Sequence, residues 1–145
     1  ELGHTIIEPN GRLCGCGRKG CLETYASATG IEQTALEMSG ERHSSKAVHE
    51  AAENGEQWAL SAFDFTAQKL GLALANSVAI TRPEVIVLFG GLAQAGDLLF
   101  LPTKKYMEEN LLKNYKDKIP LLASALPQSD AAVLGASALI WKTQL

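Results

Sequence analysis

The sequence predicts a single α/β domain, on three observations: one long helical segment with a continuous apolar stripe, two short apolar runs downstream of it, and a helical segment after each run. Residues 57–80 carry Leu60, Phe63, Ala67, Leu70, Leu74 and Val78 at three- and four-residue steps, with Phe65 beside the stripe. That is the period of a helix buried along most of its length. Thr81-Arg82-Pro83 stops it, because proline cannot continue the hydrogen-bond ladder. Residues 85–89 then form a continuous β-branched and apolar run, which predicts a strand covered on both faces. Gly90-Gly91 follows directly. Residues 97–114 predict a helix despite Pro102, residues 121–125 a second strand, and residues 131–142 a closing helix with Gly135, Ala136 and Ala138 for close packing and Trp141 near its end. Strand, helix, strand, helix is the rhythm of a parallel layer.

Upstream, residues 5–8 alternate loosely before the turn signal Pro9-Asn10-Gly11 and predict a strand entering a loop. Residues 22–38 are rich in Ala, Leu, Glu and Thr and predict a helix interrupted or restarted near Gly30. Residues 39–45 read as a polar connection and residues 46–54 as a short helix ended by Asn54-Gly55.

At 145 residues the chain is long enough to bury a core without disulfides. Its 13 basic residues are outnumbered by 16 acidic ones and form no long run, which argues against a nucleic-acid surface. Lys104 and Lys105 read as a solvated helix face. No apolar run has the length a bilayer requires, since Asn76 and Ser77 break the best of them. The first residues hold neither a starting Met nor a signal core, so the expectation is a piece of a longer cytoplasmic protein.

All three cysteines lie between positions 14 and 21. An odd number so closely spaced fits a metal cluster in a reducing compartment better than a disulfide framework. His4, Cys14, Cys16 and Cys21 offer one nitrogen and three sulfur donors, a closed tetrahedral shell for structural Zn2+. Gly11, Gly15, Gly17 and Gly20 let the loop over residues 4–21 fold tightly, and Arg18 and Lys19 can offset the charge of three thiolates. Cys-x-Cys is not the Cys-x-x-Cys of a thioredoxin-like site. His43 and His49 stand in polar surroundings and read as bystanders. Taken without further context, Glu1 and Glu23 are ordinary surface acids.

As a unit, Glu1-Leu2-Gly3-His4 followed by Cys14-Gly15-Cys16-Gly17-Arg18-Lys19-Gly20-Cys21-Leu22-Glu23 resembles the signature of the ROK family of bacterial sugar kinases and sugar-responsive repressors. The resemblance extends more loosely through Phe89-Gly90-Gly91 to the chain end. It implies the C-terminal lobe of the actin-like ATPase (ribonuclease H-like) fold over residues 1–145, with a zinc-stabilised loop at 4–21. It implies that Glu1, His4 and Glu23 hold sugar hydroxyls, which suits carboxylate acceptors and an imidazole whose second nitrogen is free of the metal. It also implies that Gly90 and Gly91 meet the nucleotide, at the carboxyl end of a strand where open α/β sheets bind ligands.

The expected activity of the parent protein is ATP-dependent phosphorylation of a hexose, as in a glucokinase, with ATP and Mg2+ as cofactors. The alternative is the effector domain of a sugar-sensing repressor. The family's phosphate-binding Asp-x-Gly-x-Thr motif and general-base aspartate precede the zinc motif, and Asp64, Asp97, Asp117 and Asp130 do not stand in that context. The chain alone therefore holds no catalytic residue, and the expectation is an inactive lobe that completes its site with an N-terminal lobe and homodimerises.

Overall fold

The computed structural model describes residues 1–126, 130 and 133–138. The described elements are helices α1 (Ala28–Ser39), α2 (Ser45–Glu53), α3 (Gln57–Thr81) and α4 (Asp97–Asn110) and two strands, β1 (Ile86–Leu88) and β2 (Leu121–Ala123). Short 3-10 turns occupy Leu2–His4, Leu22–Thr24 and Gly91–Ala95. The strands are parallel, with Ile86 opposite Leu121 and Leu88 opposite Ala123, and α4 lies on the connection between them. This is the predicted strand, helix, strand order. Of the closing helix predicted over residues 131–142, residues 133–138 are helical, as is residue 130 just before it, and its other positions, Trp141 included, lie outside the described residues.

Helix α3 forms the spine of the core. Phe63, Ala67, Leu70, Leu74 and Val78 of the predicted stripe are all buried, and α1 delivers Ile31 and Ala35, α2 Val48 and Ala52, and α4 Leu99 and Met107 against it. The helix ends at Arg82, which turns into the left-handed region (φ 49°) immediately before Pro83. Among the described residues no helix is long and apolar enough to cross a membrane.

Several local expectations change. Residues 5–8 make no regular strand: the pairing reduces to an isolated bridge between Ile6 and Cys21, because the chain must turn at once to bring His4 beside the cysteines. The helix expected over residues 22–38 divides earlier than Gly30. Ser27 caps α1 by accepting the Gly30 N–H at 3.0 Å, and Gly30 lies inside the first turn, where a Cβ would meet the Tyr25 backbone at 2.7 Å. Gly30 is thus a point of close approach, not a break. Helix α4 stops at Asn110 because Leu111 is extended. Lys104 is no freely solvated cation, since its ammonium donates to the Glu108 carboxylate and to the Ile119 carbonyl at 2.7 Å.

Among the described residues β1 is covered on one face and not on both as predicted. Ile86 and Leu88 pack on the core, but Val87 remains 54% exposed and Phe89 51%. Side chains alternate across a strand, and the helices cover one face only among the described residues. Among the described residues the other face, with Val87 and Phe89, is apolar and exposed.

Candidate metal centre and its acidic neighbours

The cysteine loop is built by a few backbone bonds. Cys14 N–H donates to the Arg18 carbonyl at 2.8 Å, closing a tight turn around Cys16, and Gly20 N–H donates to the Arg12 carbonyl at 2.8 Å. The Gly20 carbonyl accepts from Ile7 at 2.9 Å and Glu8 at 3.2 Å, which draws the first residues alongside. The Leu2–His4 turn then sets the imidazole over the loop, and the Leu22–Thr24 turn sets Glu23 just past Cys21.

The four residues singled out by spacing converge. One ligating atom from each of His4, Cys14, Cys16 and Cys21 can be chosen so that all lie within 4.8 Å of one another. Cys14 Sγ is 3.6 Å from His4 Nδ1, and Cys16 Sγ is 3.6 Å from Cys21 Sγ. These separations are far longer than a disulfide bond. They approach the edge of a tetrahedron of thiolates around zinc, about 3.7 Å for Zn–S bonds of about 2.3 Å. The donor set and its spacing fit that ion.

The protonation chemistry of the thiols is uneven. The backbone N–H and then the guanidinium of Arg18 bring the exposed Cys16 thiol down to about 6, whereas burial pushes Cys21 up to about 11. Arg18 also donates to the His4 carbonyl at 2.7 Å, so it braces the turn that carries the histidine as well as facing the sulfurs. A cation among the sulfurs removes the cost of ionising Cys21 in a buried position.

Both acids adjoin this cluster. Glu1 Oε2 is 3.5 Å from His4 Nε2, and Glu23 Oε1 is 3.7 Å from Cys14 Sγ. His4 thus turns Nδ1 to the sulfurs and Nε2 to the exposed carboxylate of Glu1. A cavity of about 470 Å³ lies beside Glu23, lined also by Arg12, Gly15, Thr24, Thr29 and Gln33. Gly90 and Gly91 occupy a separate position, at the carboxyl ends of β1 and β2. Gly90 has φ 117° and Gly91 opens a 3-10 turn; Gln94 and Ser124 join Gly90, but not Gly91, around a cavity of about 280 Å³.

His43 stacks on Trp58 with centroids 4.4 Å apart, and His49 meets the edge of Phe63. Both pack against aromatic rings rather than joining the cluster. Sequence reasoning passes over Arg12 and Tyr25, which tie the loop to α1. No local spacing marks them, because the partners of Arg12 lie 12 to 25 residues away.

Comparison with known proteins bears on the family and the fold. The ROK family model matches residues 1–143. A glucokinase of Thermotoga maritima is 34% identical over 154 residues, with 97% of this chain and 48% of the relative covered. The Escherichia coli DNA-binding transcriptional dual regulator NagC is 29% identical over 154 residues, covering 100% of this chain and 37% of the regulator. The crystal structure of a ROK family glucokinase from Streptomyces griseus, in complex with glucose and AMPPNP, superposes with a TM-score of 0.86 at 27% identity, covering 96% of this chain and 50% of that one. The mixed α/β architecture is accordingly that of the ROK kinases, which have the actin-like ATPase fold. The chain spans about half the length of the glucokinases it matches. With its family model satisfied from residue 1 to residue 143, the chain belongs to the ROK family.

Proposed function

We propose that residues 1–145 are the C-terminal lobe of an ATP-dependent hexose kinase of glucokinase type, with a zinc-held loop over residues 4–21 that shapes the sugar pocket. The observation that carries the proposal is the two-sided placement of His4, Nδ1 toward Cys14 and Nε2 toward Glu1, with Glu23 flanking the same sulfur cluster. Zinc on His4, Cys14, Cys16 and Cys21 would lock the ring and make its second nitrogen a better donor. His4 Nε2–H then donates to a sugar hydroxyl, while the Glu1 and Glu23 carboxylates accept from neighbouring hydroxyls. Such fixed, directional contacts align one hydroxyl for phosphoryl transfer, a reaction governed by positioning. Gly90 and Gly91 would meet the adenosine side of ATP, with Mg2+ on its phosphates.

The phosphate-binding motif and general base belong to an N-terminal lobe, without which residues 1–145 turn over no sugar. The apolar outer face of β1, with Val87 and Phe89, is a surface suited to packing against further parts of such a protein. A cytoplasmic homodimer is the expected form. The deciding experiment is coupled measurement of ADP release by the full-length protein with ATP, Mg2+ and a panel of hexoses. Sugar-dependent turnover is the expected result, and a full-length protein that binds hexose but never phosphorylates it would contradict the kinase assignment.

A second reading, the effector domain of a sugar-responsive repressor, is favoured by the match to NagC over the whole chain. A helix-turn-helix upstream of residue 1 together with operator binding released by sugar would establish it.

A further inference from the structure

Arg12 lies between the first two residues of the metal cluster in sequence and reaches away from it. All five N–H donors of its guanidinium have acceptors. Nε donates to Glu37 Oε1 at 3.2 Å, one terminal nitrogen to the carbonyls of Thr24 (2.7 Å) and Gly30 (3.1 Å), and the other to Thr34 Oγ1 (3.0 Å) and Glu37 Oε2. The guanidinium also lies 4.6 Å from the centroid of the Tyr25 ring, and the Tyr25 hydroxyl accepts the Arg12 backbone N–H at 3.0 Å. Its side chain is only 14% exposed. A surface ion pair contributes little, but a fully satisfied, largely buried fork holds its partners in one relative geometry.

Those partners belong to three pieces, joined otherwise by local bonds such as that from Ser27 Oγ to the Glu23 carbonyl at 2.7 Å, and Arg12 spans all three. The Arg12 carbonyl holds Gly20, beside Cys21; the guanidinium holds the carbonyl of Thr24, beside Glu23; and its remaining bonds run to Gly30, Thr34 and Glu37 on α1. Helix α1 is itself fixed on the core through Ile31 and Ala35. We propose that Arg12 is the positioning residue that transmits this rigidity to Glu23, setting the height of its carboxylate over the sugar site independently of the metal ligands. The proposal rests on the sugar-binding reading of Glu23. Lysine cannot substitute, since an ammonium carries three donors and no planar fork to span the Thr24 carbonyl and the Glu37 carboxylate together.

Kinetics of full-length Arg12→Lys and Glu37→Gln, with zinc content measured on the same samples, test it. Contacts to sugar hydroxyls made alike in ground and transition states appear in KM, so both variants should raise the sugar KM by about fivefold or more with kcat within about twofold. Zinc should stay at one per chain, because none of its four ligands is touched. Arg12→Ala should show a larger rise in KM or fail to fold, and the two milder variants decide the matter in either case. Unchanged KM in both, alongside a wild-type protein that binds sugar normally, overturns the role of Arg12 alone. Loss of zinc in step with KM also overturns it, by assigning Arg12 to the metal loop as a whole. A wild-type protein that binds no hexose overturns the sugar-site reading and the positioning role with it.

Discussion

Replacing Gly20 with alanine should damage the cysteine loop far more than the same change at Gly15, five residues away. Gly20 sits at φ 78°, and a Cβ there would lie 1.7 Å from the Glu8 carbonyl oxygen and 2.6 Å from its carbon. The left-handed backbone alone costs an alanine about 1 kcal/mol. Relief of the overlap requires Glu8 to move away, which opens the bonds from Ile7 and Glu8 to the Gly20 carbonyl at about 1 kcal/mol each. The expected loss is about 3 kcal/mol, or more than about a hundredfold in the population of the closed loop at about 1.4 kcal/mol per factor of ten. Because loop closure and metal binding are coupled, zinc affinity measured by competition with a chromophoric chelator should fall by a similar factor. Gly15 has no atom within 4 Å of its missing Cβ, so Gly15→Ala serves as the control and should change little. Urea unfolding and zinc competition on the two variants give the comparison. A Gly20→Ala protein within about 0.5 kcal/mol of wild type, or two variants equally affected, would refute this reasoning.

Other outcomes follow from the same contacts. Burial pushes the Glu108 carboxyl up, but the Lys104 ammonium and the Asp117 N–H pull it further the other way, leaving it below the usual glutamate value. A depressed carboxyl contributes stability that is present above its unfolded value and lost as pH falls through the folded one. Glu108→Gln should therefore cost about 1 kcal/mol at pH 7 and converge with wild type only as pH falls below the ordinary glutamate range in acid unfolding curves; an equal difference at both ends would contradict the ion-pair assignment. Gly90→Ala places a side chain at φ 117°, a region nearly reserved for glycine, with no clash around it. Steady-state kinetics of the full-length protein should show a several-fold rise in the ATP KM with the sugar KM unchanged; a shift in the sugar KM alone would remove Gly90 from the nucleotide side.

What was legible in the sequence divides by range. The stripe from Phe63 to Val78 could be read because a helix repeats every few residues, and its burial follows from that repeat alone. The convergence of His4, Cys14, Cys16 and Cys21 was equally legible, since three of the four fall within eight residues and His4 is brought in by one turn. Glu1 and Glu23 carry no such local mark and entered only through family resemblance. The run over residues 85–89 misled in one respect: apolar residues on both sides of β1 imply cover on both sides, yet the described helices supply only one layer. Arg12 escaped altogether because its meaning depends on carbonyls of Thr24 and Gly30 and on Glu37, contacts created only when the loop folds onto α1.

The central claim is that His4, Cys14, Cys16 and Cys21 form a closed zinc shell that orients His4 between the metal and the sugar. X-ray absorption at the zinc edge, on protein purified without added metal, tests it most directly. One zinc per chain with three sulfur neighbours at about 2.3 Å and one nitrogen at about 2.0 Å is the predicted result. Folded protein without zinc, or a spectrum in which the nitrogen is replaced by a fourth sulfur or by several oxygens, would contradict it.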